Sequence, residues 1–518
     1  MYIKKRRNKS GSISIQLIKK LSGGKTKLIK TIGYAKNEIE LELLLEKAKE
    51  EKEILEPTLF TSLKKSTTSY PFETINIDSE HLIYNGDELI FGKLFEDMGC
   101  HNVFKSIKGI KKVEDKLFYF RALVISRILY SGSKLYLIDY LEHFKQITIQ
   151  KDSIYRFLDT LYQEDIKSSI EECIYTNTLK KFNNQLFITF YDVTTLYFDS
   201  ESEDDFRRIG FSKEGKLARP QIQLGLFTTL EGYPLSYEVY EGNKYEGHTL
   251  IDILQKFQRK FKRDDKPIVV ADRGMLTKEN IAYLEDNNYK YILVARIKNL
   301  SNEIKEQIIN LTFLDDGTIH TILLPNKTRL ILTYSAKRAK KDKYTREKAL
   351  QKIEQKLNKN ITKRDLKLSY YGKYLDIDDK CSIGYSINPL KVQNDTKLDG
   401  IKGFITNDDT LEPHEVISHY QNQYAVEKAF RISKTDLKIR PIYHRLENRI
   451  KAHILISFVA YALYRKFENK IDKINISTSK KILLDAIKYI TAIKTDNKIL
   501  NLNPTQLQKQ ILDAIYLS

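Results

Sequence analysis

Cysteine is scarce in this chain. Cys100, Cys173 and Cys381 are the only three among 518 residues, and they stand far apart without a CxxC or Cys/His spacing. This usage gives no indication of a zinc site or a disulfide framework. It fits a protein of the reducing cytoplasm.

Long apolar runs are also lacking. The longest, residues 454–463, is shorter than a membrane span and is flanked by Arg449, Lys451 and Arg465, so it predicts a buried core helix. The N-terminal residues 1–7 are basic and lack the apolar stretch of a signal peptide. No internal repeat or low-complexity tract stands out.

Positive charge, by contrast, is abundant. Lys and Arg number 87 against 68 Asp and Glu, which gives a formal net charge of +19. A surplus of this size favours a polyanionic partner, of which nucleic acid is the commonest. A lysine-rich host composition is the alternative explanation. The apolar fraction of 41% is ample for buried cores, and the length predicts two to four domains.

The order of apolar patterns predicts a multidomain α/β protein. Three strands precede a helix, a strand, a second helix and a further strand between residues 186 and 295, which is the order of a ribonuclease-H-like sheet. Thr277 is a credible N-cap of the second helix, with Asn280 three residues on. The expected segments are a small β-hairpin plus helix module (1–78), a helical DNA-binding or dimerisation region (79–182), the first part of the catalytic core (183–300), a β-rich insertion with a basic helix (301–408), the second part of the core (409–470) and a helical tail (471–518).

Three acidic residues occupy informative positions in this order. Asp192 ends the apolar run 186–191, Asp272 ends the run 268–271, and Glu427 lies within a helix predicted over residues 419–434. Each alone could be an ordinary turn or surface acid. Carboxylates at the ends of two neighbouring strands, with a third from a helix crossing the sheet, can however converge on one spot. Hard oxygen ligands there suit Mg²⁺, and two such ions can run phosphoryl transfer.

The helix around Glu427 carries further polar groups. If it is continuous, Tyr420, Gln423, Glu427 and Lys434 fall within an arc of about 60°. A core-facing helix would place apolar side chains on such a stripe, so the pattern indicates a polar working face. Lys434 and Tyr420 could hold a phosphate beside the metal ions.

At these residues the chain resembles the DDE transposases of bacterial insertion sequences, in the group with a Tyr-x2-Arg-x3-Glu-x6-Lys signature (the insertion-sequence-four type). The first acid stands in Tyr-Asp192-Val-Thr-Thr, the second in Ala-Asp272-Arg-Gly, and the third in the signature helix. Residues 186–465 resemble the group well and the first 180 only loosely. One departure is Gln423, which stands where the signature has arginine; it can still donate to a phosphate but supplies no charge.

The resemblance implies a function and its residues. The family cleaves DNA strands at transposon ends and joins the freed 3′-hydroxyl to target DNA, with the three acids as catalytic residues and ligands of two Mg²⁺ ions (Mn²⁺ being an alternative). Tyr420, Gln423, Arg431 and Lys434 are the expected DNA contacts. Arg273, beside the second acid, is a further candidate contact, with a local salt bridge as the alternative. The implied partners are double-stranded DNA, as terminal inverted repeats and target, and a second copy of the chain in the DNA complex. The expected location is the prokaryotic cytoplasm, at the nucleoid.

Two other functions remain open at this point. A related ribonuclease-H-like nuclease or resolvase would cut without joining. A catalytically silent DNA-binding protein descended from a transposase would do neither, although it would then tolerate loss of an acid, and all three are present.

Overall fold

The computed structural model describes residues 1–8, 11–21, 24–55, 64–65, 75–76, 81–200, 202–211, 219–261, 266–313, 315–357, 373–377, 385–474, 476, 478–495 and 498–517. These residues form two compact units. One comprises Met1–Tyr84 with Ile490–Asn503, and the other Asn85–Tyr489 with Pro504–Ser518.

The first unit contains more strands than the expected hairpin. β1 (Tyr2–Arg7), β2 (Ile13–Lys20) and β3 (Thr26–Ala35) form an antiparallel sheet in that order, followed by α1 (Glu38–Leu55). The strand before the hairpin was not expected, because basic side chains dominate β1 and hide its period of two. The short β4 (Lys64–Lys65) pairs with β5 (Ile75–Asn76). The expected boundary at residue 78 lies outside the described residues.

A second small sheet joins distant parts of the chain in this unit. β6 (Leu82–Tyr84) pairs with β17 (Thr491–Thr495), which pairs in turn with β18 (Lys498–Asn501). These two late strands interrupt the region expected to be a helical tail, whose helices are α16 (Lys480–Lys488) and α17 (Gln506–Tyr516).

The second unit begins with helices, as expected for residues 79–182. They are α2 (Lys93–Asp97), α3 (Val103–Ser106), α4 (Val113–Leu129), α5 (Lys134–Lys145), α6 (Lys151–Leu161) and α7 (Glu164–Lys181).

The predicted alternation of strands and helices then follows and is confirmed. Its elements are β7 (Ile188–Tyr197), β8 (Gln221–Thr229), β9 (Pro234–Glu241), α8 (Thr249–Phe261), β10 (Ile268–Ala271), α9 (Lys278–Asp286) and β11 (Tyr291–Val294). Thr277 caps α9 as expected, because its hydroxyl accepts the Asn280 N–H at 3.1 Å. β7, β10 and β11 run parallel to one another. On the other side of β7, β8 pairs antiparallel with β7, and β9 pairs antiparallel with β8.

The region expected to be a separate β-rich insertion differs from that expectation. β12 (Ile319–Leu323), β13 (Arg329–Tyr334) and β16 (Ile401–Thr406) extend the main sheet instead, in the order β12-β13-β16-β11-β10-β7-β8-β9. The apolar strand β16 pairs with β11 on one edge and with β13 on the other. It therefore lies inside the main sheet and not in a separate one. Outside the sheet lie α10 (Asn302–Ile309), the expected basic helix α11 (Ala336–Leu357), the pair β14 (Leu375–Ile377) and β15 (Tyr385–Ile387), and α12 (Pro389–Lys397).

Both faces of the main sheet are buried. Phe190, Val270 and Ile292 pack on the side that carries α13 (Pro413–Gln421), α14 (Tyr424–Arg431) and α15 (Glu447–Asp472). Their neighbours in sequence, such as Tyr191 and Val269, pack against α8 and α9 on the other side. Side chains alternate along a strand, so even-numbered positions of β7 and β10 face the first group of helices.

The helix predicted from the apolar run at residues 454–463 is confirmed as a core element. It is the middle of α15, which is buried along most of its length against the sheet and α4. Within the described residues, no helix is long and apolar enough to cross a membrane.

Candidate active site

Asp192 and Asp272 lie side by side on the main sheet. In the parallel pair β7 and β10, Tyr191 is opposite Ala271, so the two aspartates follow at the same level on adjacent strands. Neighbouring strands are about 4.8 Å apart, and both aspartates share the parity of Phe190 and Val270. Both carboxylates therefore belong to the face covered by α13 to α15.

The two aspartates differ in one respect from the sequence expectation. Asp272 follows the last residue of β10, as expected, but Asp192 lies in the middle of β7 rather than at its end. β7 continues to Tyr197 because it pairs with β8 over nine consecutive positions. The short β10, not the end of β7, sets the level at which the two acids meet.

The helix that carries Glu427 is broken, contrary to the expectation of one continuous helix over residues 419–434. α13 ends at Gln421 and α14 begins at Tyr424, and the N–H of Gln423 donates to Tyr420 O at 2.9 Å in a tightened turn. After Arg431 the chain continues as a π-helix, Ile432–Asp436. Asn422 is of a residue type common at helix ends, but the apolar period continues through it, so periodicity alone could not reveal the break.

The four residues of the predicted polar stripe differ in their exposure. Gln423 is only 6% exposed at the junction of the two helices. Glu427 is exposed on the first turns of α14, while Tyr420 and Lys434 are half-buried. Three of the four predicted residues thus share the face of the site, and Gln423 lies beneath it.

Tyr420 lies beside the second acid and feels the charge of all three. Its Oη lies 3.5 Å from Asp272 Oδ1. Burial raises the pKa of the Tyr420 hydroxyl, and the carboxylates of Asp272, Asp192 and Glu427 raise it further, so the phenol stays protonated at neutral pH. Acids from β7, β10 and α14 are therefore all electrostatic neighbours of one hydroxyl group.

Lys434 reaches the same face from the π-helix. Its Nζ donates to Thr194 Oγ1 at 2.6 Å. Thr194 lies two residues beyond Asp192 on β7, so its side chain points to the same side of the sheet. The hydrogen bond places a cation along β7 beside the first acid.

Sequence reasoning missed Lys402, a second cation at the site. It lies on β16, with its Nζ 4.4 Å from the centre of the Tyr420 ring and 5.1 Å from that of Phe404. Burial and the charge on Arg338 lower the pKa of Lys402, while Asp272 and Glu427 raise it. The available signal was a single lysine within an otherwise apolar strand close before the glutamate helix.

Arg431 and Arg273 are the remaining candidate residues. Arg431 is exposed at the end of α14, and its backbone oxygen accepts the hydroxyl of Thr435 at 2.6 Å. Arg273 begins a short turn directly after Asp272, and its side chain lies outside the described part of the structure.

The chemistry of the donor set suits a hard divalent cation. The carboxylates of Asp272, Asp192 and Glu427 all act on the Tyr420 hydroxyl, and Mg²⁺ is bound in proteins through one or two carboxylates completed by water and substrate phosphates. As they stand, the described residues contain no group of three His, Cys, Asp or Glu side chains placed to hold an ion by themselves. The set therefore fits an ion that shares its ligands with a phosphate, rather than a closed protein cage.

Comparison with solved structures gives distant likenesses. One is the cryo-EM structure of a piggyBac transposase synaptic complex with hairpin DNA, at 12% identity and a TM-score of 0.38 over 78% of this chain and 80% of that one. Another is the crystal structure of the Mos1 mariner paired end complex with Mn, at 14% identity and a TM-score of 0.15 over 36% of this chain and 60% of that one. TM-scores this low do not establish a shared arrangement.

Comparison with protein sequences gives a family. No curated protein matches the chain. The transposase DDE domain family matches residues 187–463, just over half of the 518 residues, and this segment includes all three acids, Tyr420, Lys402 and Lys434. The chain therefore belongs to the family of proteins with a transposase DDE domain.

Proposed function

We propose that this protein is a transposase that cleaves DNA at transposon ends and joins the freed 3′ ends to target DNA, with Asp192, Asp272 and Glu427 as its catalytic residues. The observation that carries the proposal is the placement of Asp192 and Asp272 at the same level on adjacent strands, on the sheet face that is covered by the helix carrying Glu427. The joining step, strand transfer, is proposed because it is the reaction of the family.

The finer assignment of fold is ribonuclease-H-like. The spatial order β9-β8-β7-β10-β11 supports it. In this order β8 runs antiparallel to both of its neighbours, and β7, β10 and β11 run parallel to one another. The finer assignment of family is the insertion-sequence-four type. Tyr420, Glu427 and Lys434 support it, and Gln423 departs from it.

The acids would hold two divalent ions, Mg²⁺ or Mn²⁺. When bound, such ions activate the attacking water or 3′-hydroxyl and stabilise the leaving oxygen of a phosphodiester. The chain's own residues bind and orient the phosphate: Lys434 supplies a cation fixed by Thr194, and Lys402 supplies a second one over the Tyr420 ring. The positive charges of these two lysines offset the negative charges of the carboxylates and of the DNA backbone.

Two arginines are proposed as further DNA contacts because of where they lie in the chain. Arg431 extends the basic surface at the exposed end of α14, and Arg273 stands beside Asp272. Gln423, which is buried, would act on DNA only through its neighbours. The partners are double-stranded DNA, as terminal repeats and target, and a second copy of the chain in the DNA complex. A transposase of this kind would act at the nucleoid in a prokaryotic cytoplasm.

The test is an excision assay on a plasmid that carries the coding region with its natural flanking DNA. Purified wild-type protein with Mg²⁺ should release labelled 3′ ends and form joined products. Asp192→Asn, Asp272→Asn and Glu427→Gln should each lower cleavage at least about 1,000-fold, because each removes a ligand from the reacting centre. The matched control is Asp409→Asn, since the Asp409 side chain is 85% exposed in a loop after β16.

Each other outcome selects a different function. Cleavage without joined products would identify a nuclease or resolvase. DNA binding without cleavage by the wild-type protein would identify a silent DNA-binding relative. Activity of Asp192→Asn equal to that of Asp409→Asn would refute the catalytic assignment.

A further inference from the structure

A cavity of about 430 Å³ lies within the second unit, outside the cluster of acids. Its walls are the end of α4, the start of α5 with the preceding turn, and the segment that follows the π-helix. The positively charged residues that line it are Arg127, Lys134, Lys438 and Arg440.

Two of these cations are buried. Arg127 is 5% exposed and Lys134 8% exposed. Burial lowers the pKa of Arg127 to about 10, and burial together with the charge on Arg127 lowers the pKa of Lys134. Burying like charges close together is costly unless something of opposite charge joins them.

The groups bonded to Arg127 are neutral. Its Nη1 donates to Lys438 O at 3.3 Å, and its Nη2 lies 3.3 Å from His453 Nδ1. His453 Nε2 lies 2.8 Å from Ile439 O and so donates there, which leaves Nδ1 as an acceptor and the imidazole uncharged. Nothing in this set compensates the guanidinium charge.

Lys134 lacks even neutral partners. In the part of the chain that the structure describes, its ammonium makes no hydrogen bond or ion pair. Burial, Lys134, Arg449 and Arg127 lower the pKa of the cavity residue His444 to about 4, although Asp159 raises it. Asp159 is itself bonded to Arg449 at 2.7 Å and does not line the cavity.

The start of α5 adds a third source of positive potential. Lys134 is its first residue, and the Ser133 hydroxyl caps it by accepting the Tyr136 N–H at 3.1 Å. Ser131, Gly132 and Ser133 all line the cavity. The N-terminus of a twelve-residue helix favours an anion, and at the same place lies the buried Lys134, which bonds to no other group among the described residues.

One basic residue of the cavity also contacts β7, the strand that carries Asp192. Lys434 is bonded to Thr194, and the Arg440 guanidinium lies 5.2 Å from the centre of the Tyr197 ring, three positions further along β7. Tyr197 is five residues from Asp192, which corresponds to about 17 Å along the strand. DNA bound at the acids is long enough to extend over that distance, with one phosphate per nucleotide along each strand.

We infer that this cavity is a phosphate site in which Arg127, Lys134 and the N-terminus of α5 hold a backbone phosphate of the DNA that is bound at the acids. The inference that the phosphate belongs to DNA rests on the proposed function. The phosphate chemistry of the site does not.

The first experiment uses inorganic phosphate and the full-length chain. Saturating phosphate should raise the Tm of the wild type by roughly 1–3 °C through binding to the folded state. Lys134→Met should be no less stable than the wild type without phosphate and should lose the phosphate response. The control is Lys481→Met, which removes the same charge from an exposed position of α16. Persistence of the response in Lys134→Met would overturn the site.

A second variant covers failure of Lys134→Met to fold. Lys438→Gln removes the charge of an exposed cavity residue whose backbone oxygen, not its side chain, bonds Arg127. It should weaken phosphate binding several-fold and leave the Tm without phosphate unchanged. An unaltered phosphate affinity in this variant would equally overturn the site.

The second experiment separates DNA from free phosphate. Binding of a duplex oligonucleotide is measured in EDTA, without cleavage, against salt concentration. Lys134→Met should reduce the slope of log K against log salt by about 0.9, the value for one lost phosphate contact. Loss of the phosphate response with an unchanged slope would overturn the DNA assignment and identify a free phosphate compound as the ligand. Because no cleavage is measured, this result is independent of the outcome for Asp192→Asn.

Discussion

The contact between Thr194 and Lys434 offers a sharp test of how the site is organised. Thr194→Val replaces a side chain that is 6% exposed with one of nearly the same shape, and removes only the hydroxyl that accepts from Lys434 Nζ at 2.6 Å. The acids and the main sheet keep their places. The cation that we assign to the phosphate loses its fixed position.

The magnitude follows from the kind of bond. A hydrogen bond to a charged group contributes about 1.5–3 kcal/mol, which corresponds to about a 10- to 150-fold change in rate. Lys434 is half-buried, so screening by solvent favours the lower end, about tenfold.

The assay is single-turnover DNA cleavage in a double-mutant cycle with Lys434→Met. Thr194→Val should slow cleavage about tenfold in the wild-type background, and should have little further effect once Lys434 has been replaced. Thr195→Val is the matched control, because Thr195 is also buried but points to the opposite face of the sheet. Wild-type cleavage by Thr194→Val, or additive effects of the two substitutions, would refute the reasoning.

Three further predictions concern other contacts. Glu171→Gln should destabilise the protein by about 3 kcal/mol in urea unfolding, because Glu171 is fully buried and its loss leaves Lys260 with only the exposed carboxylate of Glu164 at 4.0 Å; a change below about 1 kcal/mol would contradict this. Gly225→Ala should cost about 1–3 kcal/mol in the same measurement, since a methyl group there would overlap the Tyr191 hydroxyl, and an unchanged unfolding midpoint would argue against the described packing. Lys402→Met should raise the DNA concentration for half-maximal cleavage about fivefold, from roughly 1 kcal/mol for one screened charge pair, with little effect on the maximal rate; the reverse pattern would assign Lys402 to the chemical step.

Much of the core could be predicted because its signals are local. Asp272 follows a four-residue apolar strand, and Thr277 is followed three residues later by Asn280, whose N–H it caps. Both positions could therefore be predicted from the neighbouring sequence alone. The position of Asp192 within β7 was not, because the length of β7 depends on its pairing with β8, some thirty residues later in the chain.

The rest depended on contacts between distant parts of the sequence. Lys402 joins the site only because β16 enters the main sheet next to β11. Gln423 was expected on the polar face of one long helix, and the break that buries it leaves the apolar period of the sequence unchanged. Arg127 and Lys134 read as ordinary helix residues, since the segment that closes their cavity lies about 300 positions away.

The most direct test of the catalytic role of the acids is replacement of a carboxylate by a thiolate. Asp192→Cys should be inactive in Mg²⁺, which prefers oxygen ligands, and should regain cleavage in Mn²⁺ or Cd²⁺, which accept sulfur more readily. Asp409→Cys should cleave like the wild type with every ion. Cleavage by Asp192→Cys in Mg²⁺ at the wild-type rate would contradict the assignment of Asp192 to the reacting centre.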